Sequence, residues 1–145
     1  MKKILVLAIL AVVLAGCKKQ SAQETWKCEF KGTYQNEEKQ DVPFKWNVTW
    51  IGKDKAWTIS GTSTEEGAGS TTTGTCDDKT CKIDETYTAG PESGKKYFWT
   101  GAYTDAETRS EDVYVTSFTG TYGNSDSDRT SGGAWRAQAD CKAQK

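Results

Sequence analysis

Val42-Pro43-Phe44-Lys45-Trp46-Asn47-Val48-Thr49-Trp50 carries an apolar side chain at every even position, with Lys45, Asn47 and Thr49 between them. Successive side chains of a strand point to opposite faces, so this period of two marks a strand with one buried and one wet face. The alternation extends both ways. Upstream, Trp26, Cys28, Phe30, Gly32 and Tyr34 alternate with Lys27, Glu29, Lys31 and Thr33. Downstream, the turn Gly52-Lys53-Asp54-Lys55 leads to a strand with Trp57, Ile59 and Gly61 on one side. A Thr-rich fourth strand, Thr71 to Cys76, is followed by a fifth, Cys81 to Thr88. Beyond the breaker Ala89-Gly90-Pro91-Glu92-Ser93-Gly94, a sixth strand aligns Tyr97, Trp99, Gly101 and Tyr103. A seventh, about Asp112 to Tyr122, aligns Thr116, Phe118, Gly120 and Tyr122. After a polar loop, Gly123 to Ser131, an eighth aligns Gly133, Trp135, Ala137, Ala139 and Cys141.

Composition agrees with this reading. Every Leu and the single Met lie within the first 16 of the 145 residues, and after Cys17 the chain has no Leu, Met or His. The remainder holds 6 Trp, 6 Tyr and 4 Phe among Thr, Ser and Gly, which excludes a helical bundle. The absence of His excludes His-based triads, His-ligated zinc and His general bases.

Eight strands joined by short turns leave no room for crossover helices, so the expected fold is all-β, an antiparallel meander. An open meander has two unpaired edges, and pairing the first strand with the last removes them, giving an eight-stranded up-and-down β-barrel. A two-sheet β-sandwich is the alternative. An internal rhythm of Gly followed two residues later by Tyr or Cys recurs at Phe30 to Tyr34, Thr72 to Cys76, Trp99 to Tyr103 and Phe118 to Tyr122. Glycine within a strand lets a sheet coil, and a neighbouring aromatic can cover the gap.

The first residues have a different character. Lys2-Lys3 precede an apolar run from Ile4 to Val13, too short to span a bilayer and suited to a signal peptide. Leu14-Ala15-Gly16-Cys17 then resembles the lipobox of bacterial lipoproteins. The resemblance implies removal of residues 1–16 as a lipoprotein signal peptide, lipidation of Cys17, a tether over residues 17–24, and a single β-barrel domain over residues 25–145. It also implies a membrane anchor with palmitate-type acyl chains and an address in the cell envelope. Lys18 stands where enterobacteria read Asp as an inner-membrane retention signal, which favours the outer membrane. Loss of Lys2 and Lys3 leaves 17 basic against 20 acidic residues, net −3, so a nucleic-acid partner is not expected.

With Cys17 set aside, Cys28, Cys76, Cys81 and Cys141 remain, an even number that reads as two disulfides with three possible connectivities. Cys76 and Cys81 flank a polar four-residue turn, as in a stapled hairpin. Cys28 and Cys141 would then join the first and last strands, which fits barrel closure. A four-cysteine metal site is the competing reading, and export and the lack of CxxC pairs count against it.

Trp46-Asn47-Val48-Thr49-Trp50 and Trp99-Thr100-Gly101-Ala102-Tyr103 look like strand motifs of the calycins, the lipocalin and avidin families. The lipocalin Gly-x-Trp step is replaced by Glu24-Thr25-Trp26, and the avidin biotin-holding set has no residue-by-residue counterpart. The resemblance implies a calycin-like barrel and a ligand within it.

These phases put 14 of the 16 aromatics on one face and leave out Phe98 and Tyr114. The face reads either as a packed core or as a cavity lined by Trp46, Trp50, Trp57, Tyr87, Trp99, Tyr103 and Trp135. Glu85 follows the phase Cys81, Ile83, Glu85, Tyr87 and is the carboxylate set well within that face. A buried carboxylate needs a partner or a raised pKa, so Glu85 could hold a ligand amine or hydroxyl, unless a one-residue bulge turns it outward. Replacing it with Gln is expected to leave folding intact. Asn124, Asp126 and Asp128 alternate as in a calcium loop, but Arg129 and Trp135 stand where that loop needs Gly and Glu, so a solvated hairpin loop is expected and no metal. No nucleophile has a base beside it.

The expected function is non-catalytic and without cofactor: an anchored barrel that binds a small apolar or aromatic molecule. The alternatives are a protein-binding lipoprotein and a structural envelope protein without ligand. Ser93-Gly94-Lys95-Lys96-Tyr97 resembles the Ser-Gly-x-x-Tyr segment of bacterial lysozyme inhibitors, which implies a hydrolase as protein partner. An open aromatic cavity would favour the first function, and a filled barrel with a protruding loop the others.

Overall fold

The computed structural model describes residues 22–65, 68–104, 107–110 and 112–145. The signal peptide and the lipobox, Cys17 included, lie outside these residues.

The described residues form strands and turns without helix: β1 (Glu24–Gln35), β2 (Asp41–Lys53), β3 (Ala56–Glu65), β4 (Ala68–Cys76), β5 (Thr80–Ala89), β6 (Lys96–Tyr103), β7 (Glu107–Ser110), β8 (Val113–Gly123) and β9 (Gly133–Ala143). All pairings are antiparallel and run β6-β5-β4-β3-β2-β1-β9-β8-β7, with β6 also paired to β8. That last pairing closes eight strands into a meander barrel and excludes the sandwich. β7 is an addition to the expected eight. It pairs with β8 from Val113 to Val115, beyond the point where β6 leaves off opposite Phe118.

Turn chemistry sets the register. Asp54 takes a left-handed φ of 54° between the paired Lys53 and Ala56, and Asp and Asn tolerate that conformation better than most residues. In the β4–β5 turn, Asp77 Oδ1 accepts from Lys79 N at 2.8 Å and Thr80 N at 2.7 Å, an Asx turn. Both disulfides join register partners: Cys28 to Cys141 across β1 and β9, and Cys76 to Cys81 across β4 and β5. The even-strand closure and the hairpin staple are therefore both present.

Side chains alternate as expected, with Trp135, Ala137, Ala139 and Cys141 of β9 buried and the residues between them exposed. Phe30 and Ala139 are fully buried, and Trp46, Ile83 and Phe118 are each 1% exposed. Ring centroids lie 4.6 Å apart for Phe44–Trp46, 4.9 Å for Phe30–Phe118 and 5.1 Å for Trp46–Trp99. Such pairs contribute about 0.5–1.5 kcal/mol each beyond area burial, so aromatics here replace the missing aliphatics. The middle of the barrel is filled.

Glycine lets the largest of these side chains in. Gly101 of β6 faces Gly120 of β8, and a methyl on Gly101 would lie 2.5 Å from Trp135 Cζ2. Trp135 Nε1 also donates to Thr100 O at 3.0 Å and Thr121 O at 3.2 Å. The Trp135 indole thus lies across the β6–β8 junction where the meander closes.

Phe98 lies on the outer face, as its phase requires, with the Arg129 guanidinium 5.3 Å from its ring centre. Tyr114 does not. Its ring packs edge-on against Trp26 at 4.7 Å, so it joins the inner face at one mouth of the barrel. It keeps the parity of Thr116, Phe118 and Tyr122, so a strict period of two does place it inward, and leaving it off the aromatic face is corrected.

Candidate functional site

Filling the middle divides the interior into two mouths. At the mouth where β1 begins, Trp26, Trp50, Trp57, Tyr103 and Tyr114 surround a pocket of about 260 Å3, with Thr116 and Cys141 behind. Its walls are mostly carbon, and its rim carries Glu24, which accepts from Trp26 Nε1 at 3.1 Å. Trp50 is held edge-on by Trp57 and Tyr103, each at 6.0 Å. Its Nε1 is buried and has no partner among the described residues. The chain enters and leaves here: Gln144 N donates to Thr25 O at 2.9 Å.

At the opposite mouth, the turn over residues 36–40, the turn over residues 90–95 and the loop over residues 124–132 surround a larger cup of about 550 Å3. Tyr34, Tyr87, Tyr97 and Tyr122 form its wall and Trp99 its floor, and Glu37, Glu38, Glu92 and Lys95 stand at the rim. Burial pushes the Tyr97 phenol up to about 12, reinforced by its 3.1 Å hydrogen bond to Glu92 Oε2. Burial also raises the Tyr122 phenol, with the Glu37 charge adding to it. The ammonium of Lys95, 2.7 Å away, holds the Glu92 carboxyl below its usual range, with the Tyr97 hydroxyl assisting.

Glu85 lies between the mouths. It faces inward, 1% exposed, with β5 in regular register around it, so no bulge turns it outward. Its Oε1 accepts from Ser70 Oγ at 2.6 Å and Trp46 Nε1 at 3.2 Å, and its Oε2 from Trp99 Nε1 at 3.1 Å. Phase alone allows either a carboxylate that holds a ligand or one turned outward by a bulge. The structure instead gives one whose oxygens are taken by side chains of β2, β4 and β6, beneath the floor of the cup. What Glu85 does is fix two indoles.

The seven aromatics expected to line one cavity fall into three places. Trp50, Trp57 and Tyr103 meet at the apolar mouth, Tyr87 and Trp99 belong to the cup, and Trp46 and Trp135 fill the middle. Tyr34, Tyr97 and Tyr122 have the inward phase too, but nothing in the pattern says that they share a mouth. The sequence marks Arg129 only as the residue that breaks a calcium-loop pattern. Its Nη2 donates to Asp84 Oδ1 at 2.8 Å and to Asp126, and its Nη1 to Trp99 O at 3.0 Å, so it ties the loop to the outer face of β5 and β6. Asp128 is spent on the Thr130 and Ser131 amides, and no metal-holding cluster occurs among the described residues.

The fold and its two mouths define a closed meander barrel with a packed aromatic middle. No protein-family model matches the chain, and neither does any curated protein. Among solved structures it is similar to the ywiB protein from Bacillus subtilis, at 6% identity over 85% of this chain and 94% of that one, with a TM-score of 0.43.

Proposed function

We propose that this protein is a non-catalytic, lipid-anchored binding module of the bacterial envelope, and that a compact apolar or aromatic molecule binds in the mouth where β1 begins. The observation that carries this reading is the ring of Trp26, Trp50, Trp57, Tyr103 and Tyr114 around a carbon-walled pocket. Pockets of this kind favour apolar ligands. The lipobox-like Leu14-Ala15-Gly16-Cys17 supports the anchor. Seven residues from Cys17 to Glu24 reach at most about 25 Å, which keeps this mouth near the bilayer.

The test is a titration with small aromatic alcohols such as indole-3-ethanol, followed by tryptophan fluorescence and by side-chain NMR of Trp26, Trp50 and Trp57. Binding should weaken by about 1–2 kcal/mol in Trp57→Ala or Tyr114→Ala. Ligands that leave these signals unmoved at millimolar concentration would remove the reading. For the anchor, Cys17→Ser should move the protein from the membrane fraction to the soluble one.

The filled middle favours a second reading, a protein-binding lipoprotein. Ser93-Gly94-Lys95-Lys96-Tyr97 runs from the β5–β6 turn into the start of β6 at the cup rim. A muramidase assay tests it, since an inhibitor should suppress turnover at stoichiometric amounts.

A further inference from the structure

The cup at the far mouth is chemically unlike the apolar mouth. Its aromatic wall is continuous: Tyr34 meets Tyr122 at 5.5 Å and Trp99 at 5.6 Å, both edge-on, and Tyr97 meets Tyr122 at 6.1 Å and Tyr87 at 5.8 Å. Trp99 stacks on Tyr122 at 4.7 Å and forms the floor. Three carboxylates, Glu37, Glu38 and Glu92, stand at the rim against one ammonium, Lys95. Lys95 is already paired with Glu92, while Glu37 and Glu38 have no ion pair among the described residues.

We propose that this cup binds an organic cation, a quaternary or protonated amine of about the size of a choline head group. Electron-rich ring faces attract a cation within about 6 Å of their centres, and a concave site edged by one sign of charge concentrates the opposite sign. Tyr97 and Tyr122 hold their protons well into the alkaline range, so at neutral pH the wall offers neutral rings and hydroxyls while the rim supplies the charge. Glu85 acts from below. By accepting from Trp99 Nε1 it fixes the indole plane. The site uses none of the residues of the apolar mouth.

The experiment compares choline with its uncharged carbon isostere, 3,3-dimethylbutan-1-ol, by NMR titration of the full chain with Trp99 and the tyrosines assigned. Choline should move the Trp99, Tyr34 and Tyr97 signals, and the isostere should bind roughly tenfold more weakly. Glu37→Gln with Glu38→Gln, both exposed and outside the packed middle, should weaken choline several-fold and leave the isostere unchanged. Added salt should weaken choline alone. Tyr34→Leu should weaken choline if the fold survives, and the glutamine pair tests the charge term if it does not. Equal affinity for the two compounds would overturn the proposal. So would preference for a neutral disaccharide, unmoved Trp99 signals at tens of millimolar choline, or shifts confined to Trp57 and Tyr114, which belong to the other mouth.

Discussion

Trp99 Nε1 donates to Glu85 Oε2 at 3.1 Å, joining β6 to β5 inside the barrel, while Trp46 reaches the other oxygen of the same carboxyl from β2. A hydrogen-bonded strand pair is thereby linked to a strand elsewhere around the barrel through one buried side chain. The arrangement makes Glu85 part of the core's framework.

Glu85→Gln should therefore destabilise the protein, although it preserves volume. The glutamine oxygen can take only one side, accepting either from Trp99 Nε1 or from Trp46 Nε1 and the Ser70 hydroxyl, and the amide nitrogen, which can only donate, then faces the other indole N–H. An unsatisfied buried group of this kind costs about 1–3 kcal/mol. Urea unfolding followed by tryptophan fluorescence should show the midpoint falling at unchanged slope. An unchanged midpoint would mean that the network carries no net stability.

The two disulfides should differ in weight. Cys28 and Cys141 are 113 residues apart, and Cys76 and Cys81 only 5. In the chain-entropy account these closures stabilise by about 4–5 and about 2 kcal/mol. Cys28→Ser with Cys141→Ser should lower the melting temperature much further than Cys76→Ser with Cys81→Ser. Equal shifts would point to enthalpic control of both.

Gly101→Ala should displace Trp135. The added methyl has nowhere to go except against the indole ring or the β6–β8 backbone, and overpacking of a dense core costs about 1–3 kcal/mol. Loss of stability together with an altered Trp135 emission or chemical shift is the expected pair of readouts. A stable variant with an unmoved indole would show that the junction tolerates widening.

Alkaline stability should depend on Tyr97. Its phenol ionises near 10 in the unfolded chain and is pushed up to about 12 in the folded one by burial and by the bond to Glu92. Between these values the unfolded state gives up its proton first, so unfolding becomes more favourable as pH rises. The contribution is complete below about pH 10 and lost by the time pH passes about 12. Tyr97→Phe should flatten the decline in melting temperature across that window, and a parallel decline would rule Tyr97 out as its source.

The architecture was legible from Val42 to Trp50 outward because burying one face of a strand imposes a period of two, whatever surrounds it. The pairing of Cys76 with Cys81 followed from the short polar turn between them, and that of Cys28 with Cys141 from what then remained and from barrel closure. β7 was not legible: Glu107-Thr108-Arg109-Ser110 shows no alternation, and its partner is set by β8 alone. The site was legible in composition but not in location. Phase says that Trp46, Trp50, Trp57 and Trp99 point inward, while their height along the barrel axis comes from strand tilt and stagger, to which a repeat of two residues is blind. For the same reason Glu85 was placed inside the barrel without a sign that Ser70, Trp46 and Trp99 would converge on it.

The pairing of β1 with β9 has a temporal consequence. A ribosome delivers β1 first and β9 last, so the β1 edge facing away from β2 stays unpaired while everything between them is made. The hairpins from β1 through β5 can form as they emerge, because their partners are neighbours in sequence. The β1–β9 seam cannot, and such non-local pairing is slow. Through that interval the chain presents an open row of N–H and C=O groups to any strand it meets, including the β1 of another copy. Loss of the eleven residues of β9 would make the condition permanent and double it, leaving β1 and β8 each with one unpaired edge.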